Sequence, residues 1–335
     1  MFRKPHIPLF DFVWSLSRVM DLMDTNVVDH HLRVAYITLS VATQAGIPAD
    51  SRRHAVLAAA LHDVGAFHFS KRLHLLQFDA EDLNQHAEAG YLLLRMFEPF
   101  AEMAEMVRYH HVPWNDGEGK LWRGNSVPLE SHLIHLADRI AVAIPTDQPV
   151  LRQVNAIRDK IVERSGKAFV PGFVEAFCAL APREYFWLEA TSTSLEPILR
   201  RRLPPQWIEI EPTRLTHFAH LLCRIIDFKS EFTAAHSSGV ASSAVALARY
   251  AGFSEYEQEL MKIAAYLHDL GKLAIPAEIL EKPGEFTSEE REVMRSHVYY
   301  TYEVLSRIEG LETITEWSSL HQERINGKGY PFHYN

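Results

Sequence analysis

Histidine and aspartate recur in this chain at positions where they could hold metal ions. His62 and Asp63 sit in "ALHDVGA" at 60–66, and His268 and Asp269 sit in "YLHDLGK" at 266–272. Both pairs follow apolar stretches in which a buried helix would ordinarily carry no titratable side chain. Imidazole nitrogen and carboxylate oxygen suit zinc, iron, manganese and similar ions. Adjacent residues of a helix point about 100° apart. The histidine of each pair can therefore bind one ion while the aspartate, with two oxygens, bridges to a second.

The pairs belong to a longer pattern that occurs twice. His30 to His62 and His236 to His268 are both 32 residues, and His86 to His110 and His297 to His321 are both 24. The middle intervals differ, 24 against 29, and a loop carrying "PAEILEKPGEF" absorbs the difference. Local phrases agree as well: "HAEAGYLLL" stands beside "HVYYTYEVL". Such matched spacing reads as a duplicated domain. The first copy adds His111 and, in "HLIHLADRIAVAI", Asp138. His30, His62, Asp63, His86, His110, His111 and Asp138 are enough for two ions. Any one buried histidine is ordinarily a satisfied core residue; the ordered set on several helices points to metal.

The elements that must position these groups are helices. Leu260, Ile263, Ala264, Leu267 and His268 fall on one stripe, as do Leu57, Ala58, Leu61 and His62. Gly271 and Gly65 follow as helix stops. The best alternating run is "WIEIE" at 207–211, inside an expected connector from Thr191 to Pro212. Its Arg200, Arg201 and Arg202 read as a solvated face. The expected architecture is all-α: two helical bundles in tandem, over 1–200 and 201–335. A chain of 335 residues is long enough for both. Lysine and arginine number 34 against 43 acidic residues, a net charge of −9 that argues against duplex nucleic acid as a partner. Two cysteines, Cys178 and Cys223, make no disulfide framework. No membrane span or secretory signal is evident, so the expected location is cytoplasmic.

The ordered set resembles that of the HD-domain metal phosphohydrolases. Residues 215–335 resemble their HD-GYP branch, the cyclic di-GMP phosphodiesterases, through "HSSGVA", "HDLGK", "PAEILEKPGEFTSEEREVMRSH" and "HQERINGKGYP". The resemblance implies helical bundles and two divalent ions per intact site, iron or manganese foremost, with zinc, nickel or magnesium as alternatives. It implies a second ligand set of His236, His268, Asp269, His297 and His321. It implies catalytic roles for Asp63, Asp269 and Lys272, and a substrate-reading set of Lys272, Arg324, Gly329, Tyr330 and Pro331. The substrate would be a cyclic dinucleotide or another nucleotide. A lysine at 272 can meet a phosphate oxygen as a point charge.

Each copy departs from the family pattern. The first has Ala66 in place of the lysine, and "HHVPWNDGEGKLW" in place of the GYP phrase. The second has Gln322 where a second histidine belongs. Asp138 follows His111 by 27 residues, so the second copy's last aspartate would fall at 349, 14 past Asn335. The second domain is expected to be cut short there or to have lost that ligand. Phe232 occupies the place of a further carboxylate associated with a third metal, so at most two ions are expected. These departures predict weak or lost phosphodiesterase activity. They leave two alternatives: a nucleotide phosphohydrolase working from the first domain, or a non-catalytic scaffold that binds metal, nucleotide, a second copy or a signalling partner.

Overall fold

The computed structural model describes residues 6–23, 29–66, 84–145, 148–229 and 236–334. Phe232 and Asn335 lie outside the described residues. Helices dominate, as expected, with two short antiparallel ribbons of two strands each. None of the described helices is long and apolar enough to cross a membrane.

The chain divides into two compact units, residues 26–205 and residues 1–25 together with 206–335. This differs from the expected division at 200, because the first elements belong with the second copy. Strand His6–Pro8 pairs with Trp207–Glu209, Ile7 standing opposite Ile208. Helix Leu9–Met23 then packs on helix His297–Leu305 and on the turn Leu270–Ala274. Its Ser15 hydroxyl donates to the Val304 carbonyl at 3.1 Å, and Arg18 pairs with Glu303 at 2.8 Å. The expected connector also contains regular structure. Leu195–Arg202 is a helix, and Arg202 reaches Glu189 and lies over the Tyr36 ring rather than facing only solvent.

In the unit of residues 26–205, helix His30–Gln44 forms the centre. It packs against Ala49–Ala59, Leu129–Val142 and Pro171–Leu180. Val34, Ala35, Tyr36, Ile37, Leu39, Val41 and Ala42 are all buried, the pattern of a helix covered on every side. In the other unit, Glu255–Leu267 is central, against Pro212–Lys229, His236–Tyr250 and Glu312–Ser319. A capping box between Ser254 and Glu257 starts that helix.

The two HD pairs sit just beyond helix ends, after Ala59 and after Leu267. The glycines that follow do not act as left-handed helix stops, since neither has a positive φ. They permit close approach instead. A Cβ on Gly65 would stand 2.1 Å from the His86 carbonyl oxygen, and one on Gly271 1.8 Å from that of His297. Only a residue without a side chain lets the HD turn lie directly on the start of the next histidine-bearing helix.

Candidate metal centres

In the unit of residues 26–205 the predicted set converges. His30, His62 and Asp63 form one group of potential ligands, and Asp63, His86, His110 and His111 form another. Asp63 is common to both. Its Oδ2 lies 3.2 Å from His62 Nε2, while its Oδ1 lies 3.2 Å from His86 Nε2 and 3.8 Å from His110 Nε2. One carboxylate thus turns an oxygen toward each group. Asp138 faces His30 at 3.3 Å and His62 at 3.8 Å. His111 Nε2 stands 3.1 Å from His86 Nε2. The side chains of His30, His62, Asp63, His86, His110 and Asp138 are all between 0% and 11% exposed, which makes the centre a closed one.

The second unit repeats the arrangement around Asp269. His236, His268 and Asp269 form one group; Asp269, His297 and His321 form the other. Asp269 Oδ2 lies 3.1 Å from His268 Nε2 and 3.8 Å from His236 Nε2, and its Oδ1 lies 3.6 Å from His297 Nε2. This centre is open. The His236 side chain is 51% exposed, and a cavity of about 510 Å³ is lined by the five ligand-type residues together with Lys272, Gln322 and Tyr330.

Five of these rings are fixed in one tautomer by the same local device. His62, His110, His268, His297 and His321 each donate Nδ1–H to the carbonyl three residues earlier, at 2.6–2.8 Å. Each Nε2 is thereby left for the ligand group around the shared carboxylate. The Nε2 atoms of His110, His297 and His321 are buried without a hydrogen-bond partner. Buried polar atoms are rarely left unsatisfied, and a cation between these lone pairs and a carboxylate would satisfy them. The residues present therefore fit divalent metal.

The electrostatics agree. Burial opposes the Asp63 charge, but His62 and His86 outweigh it and hold the carboxyl well below its usual range. Burial likewise opposes Asp138, which Arg139 and His30 hold down, and Asp269, which His268 and Lys272 hold down. Burial pulls His62 down, yet Asp63 outweighs it and raises the ring to about 9, so a metal bound there would displace a proton. His110 is pushed down to about 3 by burial and then by His62 and His86; His321 falls to about 4 chiefly through burial. Those two rings stay neutral and ready to ligate.

The positions expected to read substrate separate. Lys272 and Tyr330 line the cavity, whereas Arg324 is exposed, and Arg324, Gly329 and Pro331 are not among the lining residues. Gly329 has a steric role: a Cβ there would stand 2.4 Å from the Arg324 amide nitrogen. Glu323 holds the same loop by accepting from the Phe332 and His333 amides at 2.7 and 3.0 Å.

Several neighbours escaped the sequence reading. Arg295 lies over the Tyr330 ring at 4.4 Å, and the Thr301 hydroxyl joins the Gly271 amide (2.9 Å) to the His268 carbonyl (3.2 Å). His31, His132, His135 and Arg139 are buried near the first centre. The first copy also keeps the glycine frame of the GYP loop. Gly117 and Gly327 both have positive φ, and a Cβ on Gly119 would stand 2.0 Å from the Pro113 carbonyl. "DGEGK" aligned with "NGKGY" would have shown this, with Lys120 in the place of Tyr330.

Comparison with known proteins places both copies in one family. HD-domain family models match residues 27–143 and 220–334. The 3′3′-cGAMP-specific phosphodiesterase 1 of Vibrio cholerae is 29% identical over 331 residues, covering 95% of this chain and 76% of that protein. A cyclic di-GMP phosphodiesterase response regulator of Xanthomonas campestris is 30% identical over 197 residues, 57% of this chain and 50% of that one. The crystal structure of a cyclic GMP-AMP-specific phosphodiesterase of V. cholerae superposes with a TM-score of 0.67 at 20% identity, over 90% of this chain and 80% of that one. The chain is a tandem HD-domain protein.

Proposed function

We propose that this tandem HD-domain protein is a metal-dependent phosphodiesterase of cyclic dinucleotides, with the reaction seated in the unit of residues 206–334. The observation that carries this reading is the open cavity of about 510 Å³, whose wall combines the second ligand set with Lys272 and Tyr330. Relatives named for 3′3′-cGAMP and for cyclic di-GMP support the substrate class.

Two divalent ions, iron or manganese foremost, would be held by His236, His268 and Asp269 and by Asp269, His297 and His321, with Gln322 as a weak further donor. Bound there, such ions supply Lewis acidity toward a phosphate oxygen and make a bound water more acidic. The chain's own residues do the rest. Lys272 presents its ammonium to a phosphate oxygen in the cavity. Tyr330 offers its ring to a base, and Arg295 lies over that ring. Leu280, Phe286 and Met294 supply apolar wall that excludes water from the bound nucleotide.

The centre of the first unit reads as a metal site without substrate recognition. Its side chains are closed from solvent, and Ala66 cannot contact a phosphate. The test is product analysis of the full chain with Mn2+ or Fe2+ under reducing conditions, using cyclic di-GMP and 3′3′-cGAMP. Hydrolysis lost in His268→Ala but kept in His62→Ala is expected. Hydrolysis that survives His268→Ala would overturn the assignment.

A further inference from the structure

Lys272 Nζ lies 2.7 Å from Asp269 Oδ2. The same oxygen faces His268 Nε2 at 3.1 Å and His236 Nε2 at 3.8 Å. The ammonium thus sits on an oxygen that the potential ligand group His236, His268 and Asp269 needs. We infer that Lys272 is an internal counter-cation that competes with the divalent ion for Asp269 Oδ2, so that metal loading releases the ammonium toward a substrate phosphate. This rests on the reading of the second cavity as the phosphodiester site.

Three observations support it. A cation this close to the bridging carboxylate offsets the charge that draws the metal, and two cations on one oxygen repel. The lysine lines the cavity and its side chain is 23% exposed, so its flexible stem can swing outward without moving the backbone. The first unit is an internal control. Ala66 stands in the lysine's place, and among the described residues Asp63 Oδ2 faces His62 Nε2 at 3.2 Å with no lysine paired to it. Coupling of this kind is reciprocal: whatever draws the ammonium away from Asp269 tightens the metal.

The experiment is calorimetric titration of Mn2+ into the metal-free full chain, with the second-unit isotherm identified by its loss in His268→Ala. Lys272→Met should bind Mn2+ there about tenfold more tightly, a coupling of ordinary size. Lys272→Arg should stay near the wild type, and the first-unit isotherm should not change. Equal or weaker second-unit affinity in Lys272→Met overturns the inference. A measurement on unmutated protein guards against misfolding: labelling of Lys272 by an amine-acylating reagent, read by mass spectrometry, should rise several-fold on adding Mn2+. Labelling that stays flat also overturns it. Both results holding while cyclic dinucleotides remain uncleaved would sink the phosphodiesterase reading alone.

Discussion

A methyl group on Gly271 would stand 1.8 Å from the carbonyl oxygen of His297. The methyl would meet main-chain atoms of His297 and Thr301, so no rotamer change relieves it. It couples the HD turn to the helix that carries the next candidate ligand, and Gly65 and His86 repeat it at 2.1 Å.

Gly271→Ala should therefore cost about 2–3 kcal/mol, at the upper end of overpacking penalties, and weaken metal binding in the second unit. Gly239 is the control. It lies within helix His236–Tyr250, and a Cβ there meets nothing within 4 Å. Gly239→Ala should be neutral or stabilising by up to about 1 kcal/mol. Urea denaturation of both variants checks the pair, and equal stabilities would contradict the steric argument.

Much of this was legible in the sequence for one reason. Ligand-type residues inside apolar helical stretches conflict with burial, and the conflict recurs at matched intervals. That exposed the HD pairs, the duplication and the all-α class. What stayed hidden depends on tertiary partners. Strand His6–Pro8 is too short to show a period, and its pairing with Trp207–Glu209 spans about two hundred residues. The role of Gly271 depends on a backbone that arrives 26 residues later. Helix Leu195–Arg202 carries Pro197 in its first turn and is followed by Pro204 and Pro205, a pattern that reads as connector, yet Leu195 and Leu199 bury into the core. His135 and Arg139 flank Asp138 on the same helix, but their burial becomes evident only once the bundle closes.

Asp63 belongs to both ligand groups of the first centre, whereas His30 belongs to one. Asp63→Ala should empty both positions and His30→Ala only one. Elemental analysis of protein purified without chelator measures this directly. Both variants should also melt at lower temperature, because metal binding is linked to folding. Equal metal content in the two variants would contradict a bridging role for Asp63.

His135 gives a pH prediction. It is buried, and burial, then Arg139, pushes its ring down to about 3. The folded value lies below the ordinary 6.5. The unfolded chain therefore takes up the proton first as pH falls. Stability from the neutral ring is complete above 6.5 and is lost between 6.5 and about 3. His135→Leu removes that dependence. In the presence of chelator, urea midpoints at pH 7 and pH 4.5 should differ less for the variant than for the wild type. The slope removed is at most about 1.4 kcal/mol per pH unit.

The last prediction concerns rate. In the first unit, His30 meets Asp138 at 3.3 Å. Its counterpart His236 is half exposed, and among the described residues Asp269, at 3.8 Å, is the only carboxylate it approaches. Gln322 adds a neutral amide where the first unit has His111. A centre that must keep two ions in register with so few strong donors should work slowly. With Mn2+ present, hydrolysis of cyclic di-GMP or 3′3′-cGAMP by the 335-residue chain should fall below about 1 per second, the low end of ordinary enzymes. Gln322→His restores an imidazole at the cavity wall. It should tighten Mn2+ in the second unit and raise turnover several-fold, leaving the first-unit metal unchanged. Wild-type turnover above that limit, with no gain from Gln322→His, would show that His236, His268, Asp269, His297 and His321 suffice by themselves.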